Sequence, residues 1–425
     1  MKKVAFDTVG CRLNQYDTEQ IAAKMQKRGF CRVPMTEPAD IYIINTCTVT
    51  GRADASCRNI ISRTSRQFGS SPVVVIGCYV ESDPQKVAQL NGVDLIINNR
   101  EKERIIDILS EKYPQLFETE SIETSYEHIS EFHDHNRAWI KIGDGCNQRC
   151  SYCIIPDVRG PLINRDPNEI IEEIRALAAN EYQEVVLTGI HIGQYHIGAI
   201  DSLPMLLTKI IDETDIYRVR LSSIEPQEVN TELLDVVRNN GQRVCRHFHI
   251  PLQSGSDRIL KLMHRPYNRK KYLEIIGNVK NRIDGVVVGS DIIVGFPGET
   301  DEDFSESVKV AQSGLLDYLH VFSYSDRPGT EASQMADKIN PQTIKERNAI
   351  LREISEQLYT RALECEIGRT DEVISEHRAI DKNQYRAIAD NYLSFLLPEG
   401  IGGGKQVIKI RALEMADGYL SGEIV

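Results

Sequence analysis

The chain has 425 residues, 26% of them charged and 41% apolar, with a net charge of −12. A length of that order implies two or three domains, and the acidic balance excludes a protein that coats nucleic acid non-specifically while leaving room for a local basic patch. No apolar run long enough to span a membrane occurs and the opening residues do not read as a signal peptide, so no membrane partner and a cytoplasmic location are expected, and the ten cysteines point to metal or redox chemistry rather than to disulfides.

In chain order, VAFDTVGC from about Lys3, IYIINTC to Cys47 and VVVIGC to Cys78 are short β-branched runs. They alternate with helical stretches, one from about Thr18 to Arg28 and one reaching about Phe68. A fourth run, 93–99, and a helix from about Lys102 to Lys112 complete an open parallel α/β sheet. Cys11, Cys47 and Cys78 each fall just past the carboxyl end of a different strand, where open parallel sheets bind ligands. Three thiolates converging there would hold a second metal cluster with one open position. A cysteine after a strand is also a common small buried residue. Gly10 and Gly77 precede two of the three, as close backbone approach to a bulky group requires.

Residues 116–135 lack apolar periodicity and read as a linker, or as a strand pair along a domain junction. A strand from Ala138 to Ile142 then feeds the loop GDGCNQRCSYCIIPDVRG, Gly143 to Gly160, which brings Cys146, Cys150 and Cys153 within eight residues. That spacing cannot keep three sulfurs on one side of a regular element, so the loop wraps around something. Converging thiolates suit a soft metal. A four-iron cluster with three local ligands keeps one iron open to a substrate or cofactor. The alternatives are zinc completed by His133 or His135 and three unrelated buried thiols.

Five further strand and helix pairs follow, with strands at 184–189, 217–223, 247–252, 285–296 and 318–324 and helices near 167–180, 203–213, 228–239, 269–282 and 301–313. Asp166-Pro167 and Asn230-Thr231 mark two helix starts. Six β/α units fall short of a closed eight-fold barrel and predict a partial (β/α)6 barrel over 136–365. A helix from about Pro341 to Glu364 leads out of it. Residues 366–425 read as short strands separated by Gly and Asp turns, hence a small β-barrel. This block holds seven Lys/Arg against ten Asp/Glu, so its charge gives no support for RNA binding. Two basic runs, Arg52 to Arg66 and Arg258 to Lys271, are candidate RNA contacts or simply solvated helix faces. Cys31, Cys57, Cys245 and Cys365 are expected to be buried structural residues, and Trp139 a core or interface anchor.

The motifs TVGCRLNQYDTE, IINTCTVT, VIGCY, DGCNQRCSYCIIP, LSSIEP, PLQSGSD, MHRPY, GSDIIVGFPGET and FSYSDRPGT together resemble the methylthiotransferase family of radical S-adenosylmethionine (SAM) enzymes, in order and over nearly the whole chain. The resemblance implies an amino-terminal α/β domain over 1–115 with an auxiliary 4Fe–4S cluster on Cys11, Cys47 and Cys78. It implies a radical SAM 4Fe–4S cluster on Cys146, Cys150 and Cys153 in a partial barrel, and a TRAM-like RNA-binding barrel over 366–425. SAM would be cleaved at the second cluster to a radical that takes hydrogen from an unactivated carbon, while a sulfur on the auxiliary cluster, methylated by another SAM, joins that carbon.

By the same resemblance Tyr152, Thr188, Gly189, Ser223, Glu225, Gln253, Asp291 and Ile293 are expected around SAM, with Ile154 or Ile293 as apolar lining. An electron donor such as flavodoxin or ferredoxin, a sulfur donor and a tRNA anticodon stem-loop are the implied partners. The opening motif and KIGDGCNQRCSYCIIP are most similar to the subgroup acting on N6-threonylcarbamoyladenosine at position 37 of tRNA. Other subgroups act on N6-isopentenyladenosine there, or on a ribosomal-protein aspartate. One departure is Pro161 to Arg165, where the family usually carries more charged residues and serine. Two other functions fit parts of the pattern: a radical SAM enzyme whose second cluster only transfers electrons, and a zinc protein that binds RNA.

Overall fold

The computed structural model describes residues 2–117, 129, 131–132, 135–381 and 384–425, without the side chains of 377–381. The first sheet is parallel, in the order β2 (Phe30–Val33), β1 (Lys2–Thr8), β3 (Ile41–Thr46), β4 (Val73–Gly77), β5 (Leu95–Ile97). Its two central strands are buried throughout because both faces are covered. On one side Ile41, Ile43, Val74 and Ile76 pack with Ile21 and Met25 of helix α1 (Arg12–Lys27). On the other Tyr42, Ile44, Val73 and Val75 pack with Cys57 and Ile61 of helix α2 (Gly51–Phe68).

Helix α1 starts six residues earlier than its periodicity indicates. Asn14, Asp17 and Thr18 interrupt the apolar pattern yet are buried, because they hydrogen-bond across to neighbouring elements. The fourth run contracts to the three residues of β5.

The central region begins with β6 (Arg137–Lys141) and a small antiparallel pair, β7 (Gly143–Asp144) with β8 (Ile163–Asn164), that holds both ends of the cysteine loop together. Strands β9 (Glu184–Thr188), β10 (Arg218–Leu221), β11 (His247–His249), β12 (Val287–Val294) and β13 (Tyr318–Ser323) follow. They form two parallel sheets, β10-β9-β6 and β11-β12-β13. Bridges Val219↔Val244 and Ser223↔His249 join the two into one six-stranded partial barrel. The strand expected at 247–252 is only three residues long, and an unexpected short helix, Asp257–Leu262, follows it, capped by the Ser256 hydroxyl. Asn230 and Asp166 cap their helices as expected.

The last block is a closed barrel of β14 (Thr370–Asp381), β15 (Gln384–Ala389), β16 (Ser394–Leu396), β17 (Val407–Ala416) and β18 (Tyr419–Ile424), in the order β14-β15-β16-β18-β17. Its core joins Val287 of β12 and Leu363 of the long helix Pro341–Glu366, so the small barrel is rooted in the partial barrel. Two buried arginines lock this joint. Arg218 and Arg220 share the buried Glu184 carboxylate and donate onward to the carbonyls of Ile388, Ala389 and Asp390. Burial opposes ionisation of Glu184, but Arg220 and Arg218 hold its carboxyl well below the ordinary range.

Candidate active site

The first cysteine trio lies at the carboxyl edge of the first sheet. Cys47 directly follows β3, Cys78 follows β4 and opens the short helix α3 (Cys78–Ser82), and Cys11 precedes α1. The glycines before them are needed, though for the chain's own packing. Gly10 has φ +116°, and a Cβ on it would stand 2.7 Å from Cys47 Cβ. Gly77 has φ +102°, and its Cβ would stand 2.4 Å from the Thr46 carbonyl oxygen.

Burial pushes the Cys47 thiol up to about 12, and the nearness of Cys78 and Cys11 adds to that. Cys153 is pushed up to about 12 in the same way, by burial and by its neighbours Cys150 and Cys146. Burial raises Cys245, which belongs to neither trio, in the same way, so it is the gathering of the thiols and not their titration that marks the two sites. Among the described residues no three His, Cys, Asp or Glu side chains gather on a single-ion point.

The second trio sits on the irregular loop between β7 and the turn Ile155–Arg159. Cys146 Nα donates to the Gly160 carbonyl at 3.1 Å, and Cys153 Nα to that of Cys150 at 3.0 Å, so the loop closes on itself. Ser151 ties it to the barrel through Leu262, Met263 and Ala332. Two side chains that the sequence did not single out as site residues touch the sulfurs. His191 Nδ1 is 3.6 Å from Cys146 Sγ while its other nitrogen pairs with Glu228. Burial works against charge on His191, but those two contacts raise it to about 10. Arg265 donates to Cys150 Sγ at 3.3 Å and pairs with Glu225, and its Nε donates to the Tyr267 hydroxyl at 2.9 Å.

The expected SAM residues collect around this mouth to different degrees. Glu225 is there, held by Arg265, and burial raises its carboxyl despite that partner. Tyr152 is enclosed against Ile259, Met263, Phe296 and Ile293. Gln253, Asp291 and Ile293 come together through backbone bonds, Gln253 to Asp291 at 2.8 Å and Ile293 to Gln253 at 2.9 Å. Gln253 adopts φ +71°, a left-handed conformation costly for a non-glycine residue. Thr188 and Gly189 end β9 beside the loop, with Gly189 so close to the Gly143 carbonyl that a Cβ would stand 2.9 Å from it. Ser223 instead points to His249, at 2.8 Å, and His249 lies 3.1 Å from Asp291. Buried polar atoms without a partner, Ser222 Oγ and Glu228 Oε2, lie on the same loops, as unfilled ligand contacts would.

The two trios are neighbours. Cys78 packs directly on Ile154 and Val158, the residues that follow Cys153. Asn99 donates to the Val158 carbonyl at 2.7 Å and lies 3.6 Å from Cys78 Sγ. Beneath this partition runs a buried ionic network. Arg159 donates to both Asp144 oxygens at 2.8 and 2.9 Å and to Asn14. Asp17 meets Lys102 and Lys141 at 3.0 Å each. Burial raises the cost of the Asp17 charge, yet Lys102, Lys141 and Arg159 hold it well below the usual carboxylate range. On the far side Arg327, in the loop after β13, donates to the Thr48 carbonyl and pairs with Asp54 at 2.7 Å.

Several expectations change. In the Arg258 to Lys271 run folding brings carboxylates to four of the six cations, Asp303 to Arg258, Glu225 to Arg265, Glu306 to Arg269 and Glu274 to Lys271, while among the described residues Lys261 and Lys270 have no ion pair. In the other run Asp54 is taken by Arg327, and Arg63 has Asp7 at 3.8 Å. Cys57 and Cys245 are buried as expected, but Cys31 and Cys365 are exposed, on outward positions of β2 and of the long helix. Trp139 is indeed a packing anchor, against Phe132 and edge-on to His135 at 4.2 Å. That leaves His135 beside Trp139 rather than beside the cysteine loop. His133 and much of the expected linker lie outside the described residues.

Comparison with known proteins matches residues 140–311 to the "Radical SAM superfamily" and residues 3–112 to the "Uncharacterized protein family UPF0004". A protein of Bacillus subtilis (strain 168), named threonylcarbamoyladenosine tRNA methylthiotransferase MtaB, is 34% identical over 100% of this chain and 97% of its own. Its namesake in Aquifex aeolicus is 36% identical over 92% and 95%. The tRNA-2-methylthio-N(6)-dimethylallyladenosine synthase of Pelotomaculum thermopropionicum is 32% identical over 88% and 87%. Among solved structures the fold is shared with the radical SAM methyltransferase TsrM of Kitasatospora setae. That likeness has a TM-score of 0.59 at 14% identity and covers 78% of this chain and 75% of that one.

Proposed function

Because the chain belongs to the radical SAM methylthiotransferase family, we propose that it converts N6-threonylcarbamoyladenosine at position 37 of tRNA to its 2-methylthio derivative. The observation that carries this reading is the placement of two cysteine trios on the carboxyl edges of two sheets, parted only by Ile154 to Arg159. The choice of substrate is supported by the relatives of B. subtilis and A. aeolicus, whose names carry threonylcarbamoyladenosine.

SAM and two 4Fe–4S clusters, when bound, supply the radical and the methylated sulfur that an adenine C2–H carbon requires. Cys146, Cys150 and Cys153 would hold one cluster and Cys11, Cys47 and Cys78 the other. Arg265 and His191 each hydrogen-bond one loop sulfur and thereby fix its direction. Glu225, Gln253, Asp291, Ile293, Thr188 and Gly189 form the wall on which SAM would lie, with Tyr152 as an apolar backing. Ser223 contributes by orienting His249. The partition excludes water between the two sites with the apolar side chains of Ile154 and Val158.

The assignment extends to domains at 1–115, 136–365 and 366–425 with a linker at 116–135, and to a cytoplasmic location. It also includes an anticodon stem-loop substrate bound with help from the TRAM-like barrel, an electron donor of flavodoxin or ferredoxin type and a separate sulfur donor. Among the described residues no helix is long and apolar enough to cross a membrane. Nucleoside mass spectrometry of tRNA from cells with and without the protein tests the substrate. Loss of the 2-methylthio group from threonylcarbamoyladenosine is the expected result. Its loss only from isopentenyladenosine would overturn the reading.

A further inference from the structure

Inside the partial barrel, next to the first cysteine trio, stands a cation with no counter-charge among the described residues. Arg12 follows Cys11 directly and points inward, where its Nη2 lies 3.3 Å from the Tyr392 hydroxyl. Among the described residues it has no carboxylate partner. The neighbouring arginines each reach a carboxylate, which they share: Arg218 and Arg220 that of Glu184, and Arg137 those of Glu184 and Glu376 at 3.6 and 3.7 Å. Asp291, an acid of the interior, lies 3.1 Å from His249.

Around Arg12 the inner wall is a ladder of rings. Tyr392 stacks on His247 with centroids 4.6 Å apart, and His247 lies 6.0 Å from Tyr318 and nearly parallel to it. Tyr318 meets His320 at 5.3 Å, and His320 is stacked 6.5 Å from Phe322, which is exposed. A cavity of about 380 Å³ opens along this wall, lined in part by Arg137, Tyr318, His320 and Tyr392. Ring faces of this kind accept nucleobases by stacking, whatever the base. The lone guanidinium adds something stacking does not need.

An adenosine carrying a threonylcarbamoyl group on N6 has a free carboxylate, because threonine is joined through its nitrogen. A dimethylallyl group has none. The adenine C2 and the carbon bearing N6 flank the same ring nitrogen, so a base presenting C2 to the Cys11 side carries its N6 substituent close to the residue after Cys11. We propose that Arg12, beside the Tyr392 hydroxyl, is the seat of that carboxylate and thereby selects threonylcarbamoyl over uncharged N6 substituents. This rests on the functional reading above. A half-buried guanidinium rewards a carboxylate with charge-assisted bonds and offers an uncharged substituent nothing comparable. The interior is set for an anion in another respect: burial opposes ionisation of Tyr392, but Arg137, Arg12 and Arg220 hold its hydroxyl below the ordinary range.

The test uses the cluster-loaded full-length enzyme and two anticodon stem-loop RNAs, one with N6-threonylcarbamoyladenosine and one with the threonine carboxylate converted to the carboxamide. Dissociation constants and kcat/KM are measured for wild type, Arg12→Gln, Arg12→Lys and Tyr392→Phe. In wild type the acid is preferred. In Arg12→Gln the acid-over-amide preference falls by roughly 10- to 100-fold, chiefly in binding, and Arg12→Lys restores part of it. Tyr392→Phe lowers it by only about 2- to 10-fold. If Arg12→Gln weakens acid and amide alike, or neither, the residue is structural and the seat is overturned. A wild type that leaves the threonylcarbamoyl RNA untouched overturns the functional reading itself, and the seat with it.

Discussion

Cys47 and Cys150 are chemically the same residue, yet their surroundings assign them different work. Cys150 receives a hydrogen bond from Arg265 beside Glu225, at the mouth where SAM is expected. Cys47 lies across the Ile154–Val158 partition, against Gly10 and the Val49 amide. Cys47→Ala is therefore expected to retain reductive cleavage of SAM to 5′-deoxyadenosine while methylthio insertion falls to background. Cys150→Ala is expected to lose both. Chromatography of the nucleoside products in single-turnover mixtures distinguishes them, and retained insertion in Cys47→Ala would remove the auxiliary site from the mechanism. Both trios were legible in the sequence because thiols at strand ends or in a tight loop carry their own signal. Arg265 and His191 were hidden, since each becomes a site residue only where a distant chain segment packs against it. The one clue was position, His191 just after β9 and Arg265 inside the MHRPY motif.

At the level of elements, the parallel α/β connectivity and the two cysteine-bearing edges follow from alternating apolar runs, whereas the edge strand β2 went unread and α1 shows how tertiary bonds mask a pattern. Asn14 and Asp17 would be exposed on an isolated helix, but the buried network makes them interior residues. The basic run at Arg258 to Lys271 is only partly legible for the complementary reason. The acids that meet Arg258 and Arg269 come from other elements, so charge counted along the chain could not reveal those pairings.

The joint between the long helix and β14 makes a further prediction. Glu366, at the helix carboxyl end, faces Asp371, with Arg246 and Arg369 nearby and Asp390 bonded to Arg246. Burial and then Asp371 push Glu366 up to about 8 from 4.5, and the helix dipole also disfavours charge there. Since the folded state binds the extra proton, stability is fully present below about 4.5 and is lost as pH rises through about 8. Thermal melts of wild type should fall across that window more steeply than those of Glu366→Gln. Parallel slopes would mean that the two carboxyls do not share a proton.

For the whole molecule, the small barrel is packed into the central fold rather than hung from it by a linker. Cutting the chain after Glu366 would strip Arg218 and Arg220 of the Ile388, Ala389 and Asp390 carbonyls and uncover Leu363 and Val287. Each lost hydrogen bond to a charged group costs about 1.5–3 kcal/mol, so the truncated chain is expected to melt far below wild type or to aggregate. Circular dichroism and light scattering decide this, and a stable, cluster-binding 1–366 fragment would show the barrel to be dispensable for folding.

The contact between Arg12 and Tyr392 spans 380 positions of the chain. On a ribosome adding roughly 5–20 residues per second, the amino-terminal sheet emerges tens of seconds before the tyrosine that meets it. Until residues 154–158 have followed, Cys78 stands without the apolar cover it has in the finished fold, and the contact of Arg12 with Tyr392 closes only after the strands of the partial barrel have been made.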